Sequence, residues 1–248
     1  MSAEILSFPD VMGIFPRIPL ISLAGAGGKT TLMFRLAETI HGICVMTTTT
    51  KVGADQILAA DQLLECAQFP VEDMKKKVWV SPSLEPVSGK IIGCGASDYL
   101  KIADRCIKKG FALVCEADGA ARRHVKAPAA HEPVIPRETN VCFYLAGLDV
   151  IGLPMNAENV QRPELFSEIT GAGQDEIVRS EHLIRLFDHP SGGLKNMPEG
   201  AMRIAYLTHA DTEERISAGR SIAEQLKNYD CLCMSRLENR YPLQNAGQ

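Results

Sequence analysis

Seven consecutive residues carry the sharpest chemical signal in the chain: Gly25, Ala26, Gly27, Gly28, Lys29, Thr30 and Thr31. Closely spaced glycines let the backbone turn so that successive N–H groups face one concavity, and a helix starting there adds the positive end of its dipole. A lysine and a threonine hydroxyl straight after the last glycine suit the β- and γ-phosphates of a nucleoside triphosphate and its Mg2+. The chemistry expected is therefore binding of ATP or GTP with Mg2+. In the pattern GxxxxGK(S/T) the first glycine would fall at position 23, where this chain has Leu23, so the loop is a variant of that pattern.

A second signal is the apolar run Phe111 to Cys115, which ends in Glu116, Ala117, Asp118 and Gly119. Carboxylates at the end of a buried strand are placed to hold Mg2+ or to orient water, and Glu116 and Asp118 are both candidates. Thr47 to Thr50, followed by Lys51, either continue a strand or supply a hydroxyl that senses the metal, with Thr48 the candidate. Thr208, His209, Ala210 and Asp211 share one residue, the aspartate, with the Asn-Lys-x-Asp segment that reads guanine; Asp211 with Glu214 would equally cap a helix. The locally basic stretch Arg122, Arg123, His124 and Lys126 would clamp a phosphorylated ligand or simply face solvent.

These groups need elements to position them. The apolar run Ile18 to Leu23 predicts a buried strand, and Leu32, Met33, Leu36, Ala37 and Ile40 predict an amphipathic helix after the glycines. Further strands are predicted at Ile43 to Met46, Phe111 to Cys115, Val141 to Leu145, Ile204 to Leu207 and Cys231 to Met234. Helices are predicted through Leu100, Ala103 and Ile107, capped by Ser97, and through Ile216, Gly219, Ala223 and Leu226. Alternating strands and helices predict an α/β fold of the P-loop NTPase-like kind, a mainly parallel sheet with helices on both faces and its ligand at the carboxyl ends of the strands. Residues 1–248 read as one domain carrying loops inserted at about 78–93, where a small hairpin is expected, 119–137 and 147–162.

Composition narrows the function classes. Lys and Arg total 26 against 30 Asp and Glu, a net charge of −4 that supplies no general basic field, so no nucleic-acid partner is expected. The N-terminal residues lack a basic stretch followed by an apolar one, and no apolar run approaches membrane-spanning length, so a cytoplasmic location without membrane partners is expected. The eight cysteines are scattered without a C-x-x-C pair and read mainly as buried thiols; Cys231 and Cys233 would share one face of a strand.

Taken together, Gly25 to Thr31, Thr47 to Lys51, Cys115 to Ala120, Lys126 to Pro136 and Glu158 to Glu164 resemble the YqeC family, described as accessory proteins of selenium-dependent hydroxylases. The resemblance runs from about Ile18 to Cys233. It implies a nucleotide-binding protein associated with maturation of selenium-dependent molybdenum hydroxylases, with such an enzyme or its cofactor as partner. It also draws in Lys126, Pro128, His131, Glu132 and Arg162 as site residues without assigned roles. Glu116-x-x-Gly119 is similar to the acidic segment of nickel-metallochaperone GTPases, whereas Thr208 and His209 stand where such GTPases have Asn-Lys. The leading expectation is an Mg2+–nucleotide protein with slow hydrolysis. A small-molecule kinase and a non-hydrolysing binder of a molybdopterin-type dinucleotide pyrophosphate are the alternatives.

Overall fold

The computed structural model describes residues 3–119 and 123–236. In chain order come β1 (Glu4–Leu6), α1 (Phe8–Gly13), β2 (Leu20–Gly25), α2 (Lys29–Thr39), β3 (Cys44–Thr48), a short β4 (Val52–Gly53), β5 (Gln62–Glu65), β6 (Lys77–Ser81) and a short β7 (Lys90–Ile91). Then follow α3 (Ala96–Lys109), β8 (Ala112–Glu116), β9 (Val125–Lys126), β10 (Val141–Gly147), β11 (Val160–Gln161), α4 (Pro163–Thr170), α5 (Ser180–Asp188), β12 (Met202–Thr208), α6 (Glu213–Gln225) and β13 (Cys231–Met234).

Nine strands form one sheet in the order β1-β13-β12-β10-β2-β8-β3-β6-β5, and every pairing in it is parallel. Such a sheet needs cover on both faces, and the alternation of side chains along each strand divides the core accordingly. Ile21 and Leu23 of β2 pack with Phe8 and Val11 of α1 and with Leu32, Met33 and Leu36 of α2. Ala24, together with Tyr144 and Ala146 of β10, faces the other way, onto Phe166 of α4, Leu183, Leu186 and Phe187 of α5, and Ile222 of α6. At the far side of that second face α3 packs Tyr99, Ile102 and Cys106 on Val45, Val78 and Leu113. This is the α/β architecture expected, consistent with the P-loop NTPase-like class. Among the described residues no helix is long and apolar enough to cross a membrane.

Several boundaries differ from the sequence reading for identifiable reasons. The strand expected at 18–23 is Leu20–Gly25, because Gly25 still has a register partner, Leu145 on β10. Ser97 does not cap α3: Gly95 holds that position and Ser97 lies in the first turn. Nor does Asp211 cap α6, since Thr212 takes that role and its side chain accepts from Arg215 N. The hairpin expected within 78–93 is smaller than that span. Val78, Trp79 and Val80 are fully enclosed in β6, and only the turn closed by Val87 and Lys90, with β7 antiparallel to β4, projects as a hairpin. Cys231 and Cys233 do share a face, in the same cluster as Phe8 and Tyr206.

Helix α5 was not read from the sequence, yet it holds much of the second core face. Its Phe187 ring meets Tyr144 edge-on at 5.2 Å and Tyr229 at 5.5 Å between centroids, and is fully buried. Phe187→Ala is expected to cost about 3–5 kcal/mol of unfolding free energy, measured by urea denaturation.

Candidate functional site

Register alone brings the chemical groups to one edge. At the carboxyl end of the sheet Leu23 lies opposite Glu116, Thr48 opposite Glu116 on the other side, Gly25 opposite Leu145, and Gly147 opposite Thr208. The glycine-rich loop crosses this edge between β2 and α2. Gly25 has φ 93°, and a Cβ there would lie 2.3 Å from Leu145 O; at Gly27, φ 83°, it would lie 2.8 Å from Gly147 N. Both positions therefore demand glycine on two counts, handedness and space. Ala26 N donates to Leu145 O at 2.9 Å, which fastens the loop to β10.

Lys29, the first residue of α2, points inward and is only 4% exposed. Its Nζ donates to Gly25 O at 2.8 Å and lies 3.0 Å from Asp118 Oδ1 and 3.7 Å from Glu116 Oε1. Burial pulls the Lys29 pKa down, but Asp118 and Glu116 outweigh it and hold the ammonium above the ordinary lysine value. The Glu116 pKa is raised, by burial first and by the neighbouring Asp118, against the pull of Lys29. Glu116 Oε2 also accepts from Thr30 Oγ1 at 3.3 Å.

The sequence left Glu116 and Asp118 interchangeable; the geometry separates them. Glu116 is at the mouth beside Thr30, with its side chain 13% exposed. Asp118 is enclosed and serves the framework: Oδ2 accepts from Gly25 N at 3.1 Å and pairs with Lys126 Nζ at 3.0 Å, while Oδ1 pairs with Lys29. From Lys126 the chain of charges continues to Glu132 Oε2 at 2.7 Å and thence to Arg162 at 2.8 Å. Lys126 also donates to Gly119 O, and Arg162 to Ala127 O at 3.2 Å. Burial would raise the Glu132 pKa, but Lys126 and Arg162 more than offset it and hold that carboxyl below its ordinary 4.5.

The two long loops are what bring this chain of charges together. The strand β9, inside the loop at 119–137, pairs in parallel with β11, inside the loop at 147–162, so that Lys126 lies opposite Gln161 and Arg162 follows at once. Arg162 has φ 63° and stands immediately before the first turn of α4. Tyr144, from the sheet below, donates to Lys126 O at 2.8 Å. Lys126 is thus an internal ion-pair partner; of the two expectations for the run Arg122 to Lys126, a ligand clamp or a solvent-facing loop, solvent exposure does not hold for Lys126. Arg122 itself lies outside the described residues.

Other candidates sit apart from this cluster. Thr48 is buried and its hydroxyl donates to Glu116 O at 2.9 Å, supporting the strand end. Thr31 is exposed at the start of α2, Pro128 is buried, and the His131 side chain is 79% exposed. Asp211, on the β12 side, has Oδ2 3.7 Å from Arg215. The sequence reading missed Asp149. It follows β10 in a short 3-10 turn, Leu148–Val150, and its Oδ2 is 2.7 Å from Nδ1 of both His124 and His209. An acid two residues beyond an apolar strand ending in glycine was the available signal, but its partners lie far away in sequence.

With this geometry in place, comparison with known proteins is direct. The YqeC family profile matches residues 21–164, more than half of the chain, which spans the glycine-rich loop, both strand-end acids, Lys126, Glu132 and Arg162. The chain belongs to the YqeC family. It is 29% identical over 226 residues to a protein of Escherichia coli K12 described as uncharacterized protein YqeC, covering 88% of this chain and 87% of that one. No solved structure gave a significant match.

Removing one partner from the buried chain of charges leaves the others uncompensated. Lys126→Met, which strands Asp118 and Glu132, is expected to lower unfolding free energy by about 3–5 kcal/mol, read from urea melts at neutral pH. The acid dependence has a defined sign. A carboxyl whose folded pKa is lowered contributes stability above its unfolded value and loses it as the pH falls through the folded one. Stability attributable to Glu132 should therefore fade on acidification below 4.5, and Glu132→Gln should flatten that part of the pH–stability curve.

Proposed function

We propose that this protein binds Mg2+–ATP or Mg2+–GTP at the glycine-rich loop, and that it does so as an accessory protein in the maturation of selenium-dependent molybdenum hydroxylases. The observation that carries the nucleotide reading is the convergence of Lys29, Thr30, Glu116 and Asp118 on a loop that leads into the first turn of a helix. Backbone N–H groups and the helix dipole favour an anion there, and Lys29 supplies the mobile positive charge. The accessory role rests on the likeness to YqeC sequences.

Charge balance explains why Mg2+ belongs to this reading. Asp118, Glu116 and Glu132 are matched by Lys29, Lys126 and Arg162, so the cluster is formally neutral before any ligand arrives. A triphosphate needs positive charge that the cluster does not hold in reserve. Among the described residues no group of three or more His, Cys, Asp or Glu is arranged to hold a cation. Mg2+ suits such a site, because it keeps water and phosphate oxygens as ligands and takes only one or two groups from the protein. Thr30 and Glu116 are the groups that would hold it, and it would neutralise developing charge on the phosphates. Glu116 is also the carboxylate least compensated by its surroundings, as its raised pKa reflects. Hydrolysis is expected to be slow, since both strand-end acids are engaged by Lys29 and neither is free to orient water. The kinase alternative, whose acceptor clamp is the loop from Arg122 to Lys126, is less favoured, because Lys126 is enclosed.

Calorimetric titration with ATP and GTP, each with and without Mg2+, tests the reading. Saturable binding that Mg2+ strengthens and Lys29→Ala abolishes is the expected result, with Glu116→Gln reducing the Mg2+ effect while leaving residual nucleotide binding. Equal affinity in wild type and Lys29→Ala would sink the proposal.

A further inference from the structure

Two histidines share one carboxylate beside the glycine-rich loop. His124 Nδ1 and His209 Nδ1 are both 2.7 Å from Asp149 Oδ2, and the rings stand edge to face with centroids 6.3 Å apart. A carboxylate only accepts hydrogen bonds, so both Nδ1 atoms carry the proton, and each ring is left with Nε2 for a ligand, which accepts when the ring is neutral and donates when it is charged. Among the described residues neither Nε2 has a hydrogen-bond or ion-pair partner. The rings are within reach of a ligand, the side chains being 36% and 21% exposed.

Two further observations set this trio apart from ordinary surface pairing. Among the described residues Asp149 Oδ1 is buried without a hydrogen-bond partner, an arrangement that costs stability. His209 has φ 59°, a left-handed conformation that non-glycine residues adopt rarely and that clusters at binding sites. His124 and the neighbour of His209 both crowd Gly27. His124 O accepts from Gly147 N at 2.8 Å and lies 3.0 Å from where a Gly27 Cβ would be, and Thr208, next to His209, donates to Gly27 O at 2.6 Å.

Sheet order fixes what the trio can meet. Strand β8, carrying Glu116 and Asp118 at its end, lies on one side of β2; β10 and β12 lie on the other. The acids and the histidines therefore flank the loop from opposite sides. A ligand whose phosphates engage Lys29, Thr30 and Glu116 would meet His124 and His209 with its remaining part over β10 and β12. We infer that His124 and His209 are binding residues for the sugar of the nucleotide, each Nε2 hydrogen-bonding a ribose hydroxyl, with Asp149 as the residue that positions them. This rests on the Mg2+–nucleotide reading and adds to it the side from which the nucleoside is held.

The test uses the full chain and four probes: the preferred Mg2+–nucleotide, its 2′-deoxy and 3′-deoxy forms, and Mg2+–tripolyphosphate. Wild type is expected to bind the nucleotide more tightly than tripolyphosphate and to lose about 3- to 10-fold on at least one deoxy form, the scale of one net hydrogen bond. His124→Phe and His209→Phe, which keep a ring, should erase that discrimination while leaving tripolyphosphate affinity unchanged, and Asp149→Asn should weaken it with the same selectivity. Variants that weaken nucleotide and tripolyphosphate alike would overturn the inference, as would a wild type indifferent to both sugar hydroxyls. That second result needs no variant to fold. Tripolyphosphate that binds without sugar discrimination sinks the inference alone, whereas failure of every probe to bind removes the phosphate reading beneath it.

Discussion

One buried carboxylate, Asp118, holds three groups at once: the ammonium of Lys29, the ammonium of Lys126 and the backbone N–H of Gly25. Desolvating an acid this completely is costly, and its neighbours compensate only while they keep their geometry. The tightness of the loop, the inward turn of Lys29 and the path of the segment carrying Lys126 are therefore coupled through a single side chain. Glu116, two residues earlier on the same strand end, has among the described residues Lys29 and Thr30 to satisfy it, and stands at the mouth.

The sheet makes this division of labour possible. Residues 116 and 118 follow a strand buried on both faces, which delivers them to the edge with no freedom to drift. Their counterparts arrive by the inserted loops, which the β9–β11 pairing fastens to each other. Alternate residues of one short segment thus differ in setting, Glu116 at the mouth and Asp118 toward the interior.

Much of this was legible in the sequence, for physical reasons. Apolar runs such as Phe111 to Cys115, followed by carboxylates, announce a buried strand with chemistry at its end, and glycines before Lys29 announce a loop that leads into a helix. What escaped notice depends on contacts distant along the chain. Lys126 belongs to a locally basic run that fits a ligand clamp as well as a solvated loop, and only its distant partners Asp118 and Glu132 show it to be internal. Asp149 offers only the weak local signal of an acid just past a strand that ends in glycine, because both its partners come from other loops. Helix α5 does carry helical spacing in Leu183, Leu186 and Phe187, but in a stretch too brief to stand out between two loops.

The pairing of β1 with β13 has a consequence for how the chain reaches its native state. Glu4 to Leu6 come first in the sequence yet align with Cys231 to Cys233. The earliest strand must wait for nearly the whole polypeptide before it finds its neighbour, and closing so large a loop carries an entropy cost that local contacts cannot offset in advance. Assembly should thus proceed outward from the centre of the sheet, where β2, β8 and β10 meet. The glycine-rich loop region would be native-like while that outer edge is still open, leaving a temporary unpaired rim for chaperones or for misassociation.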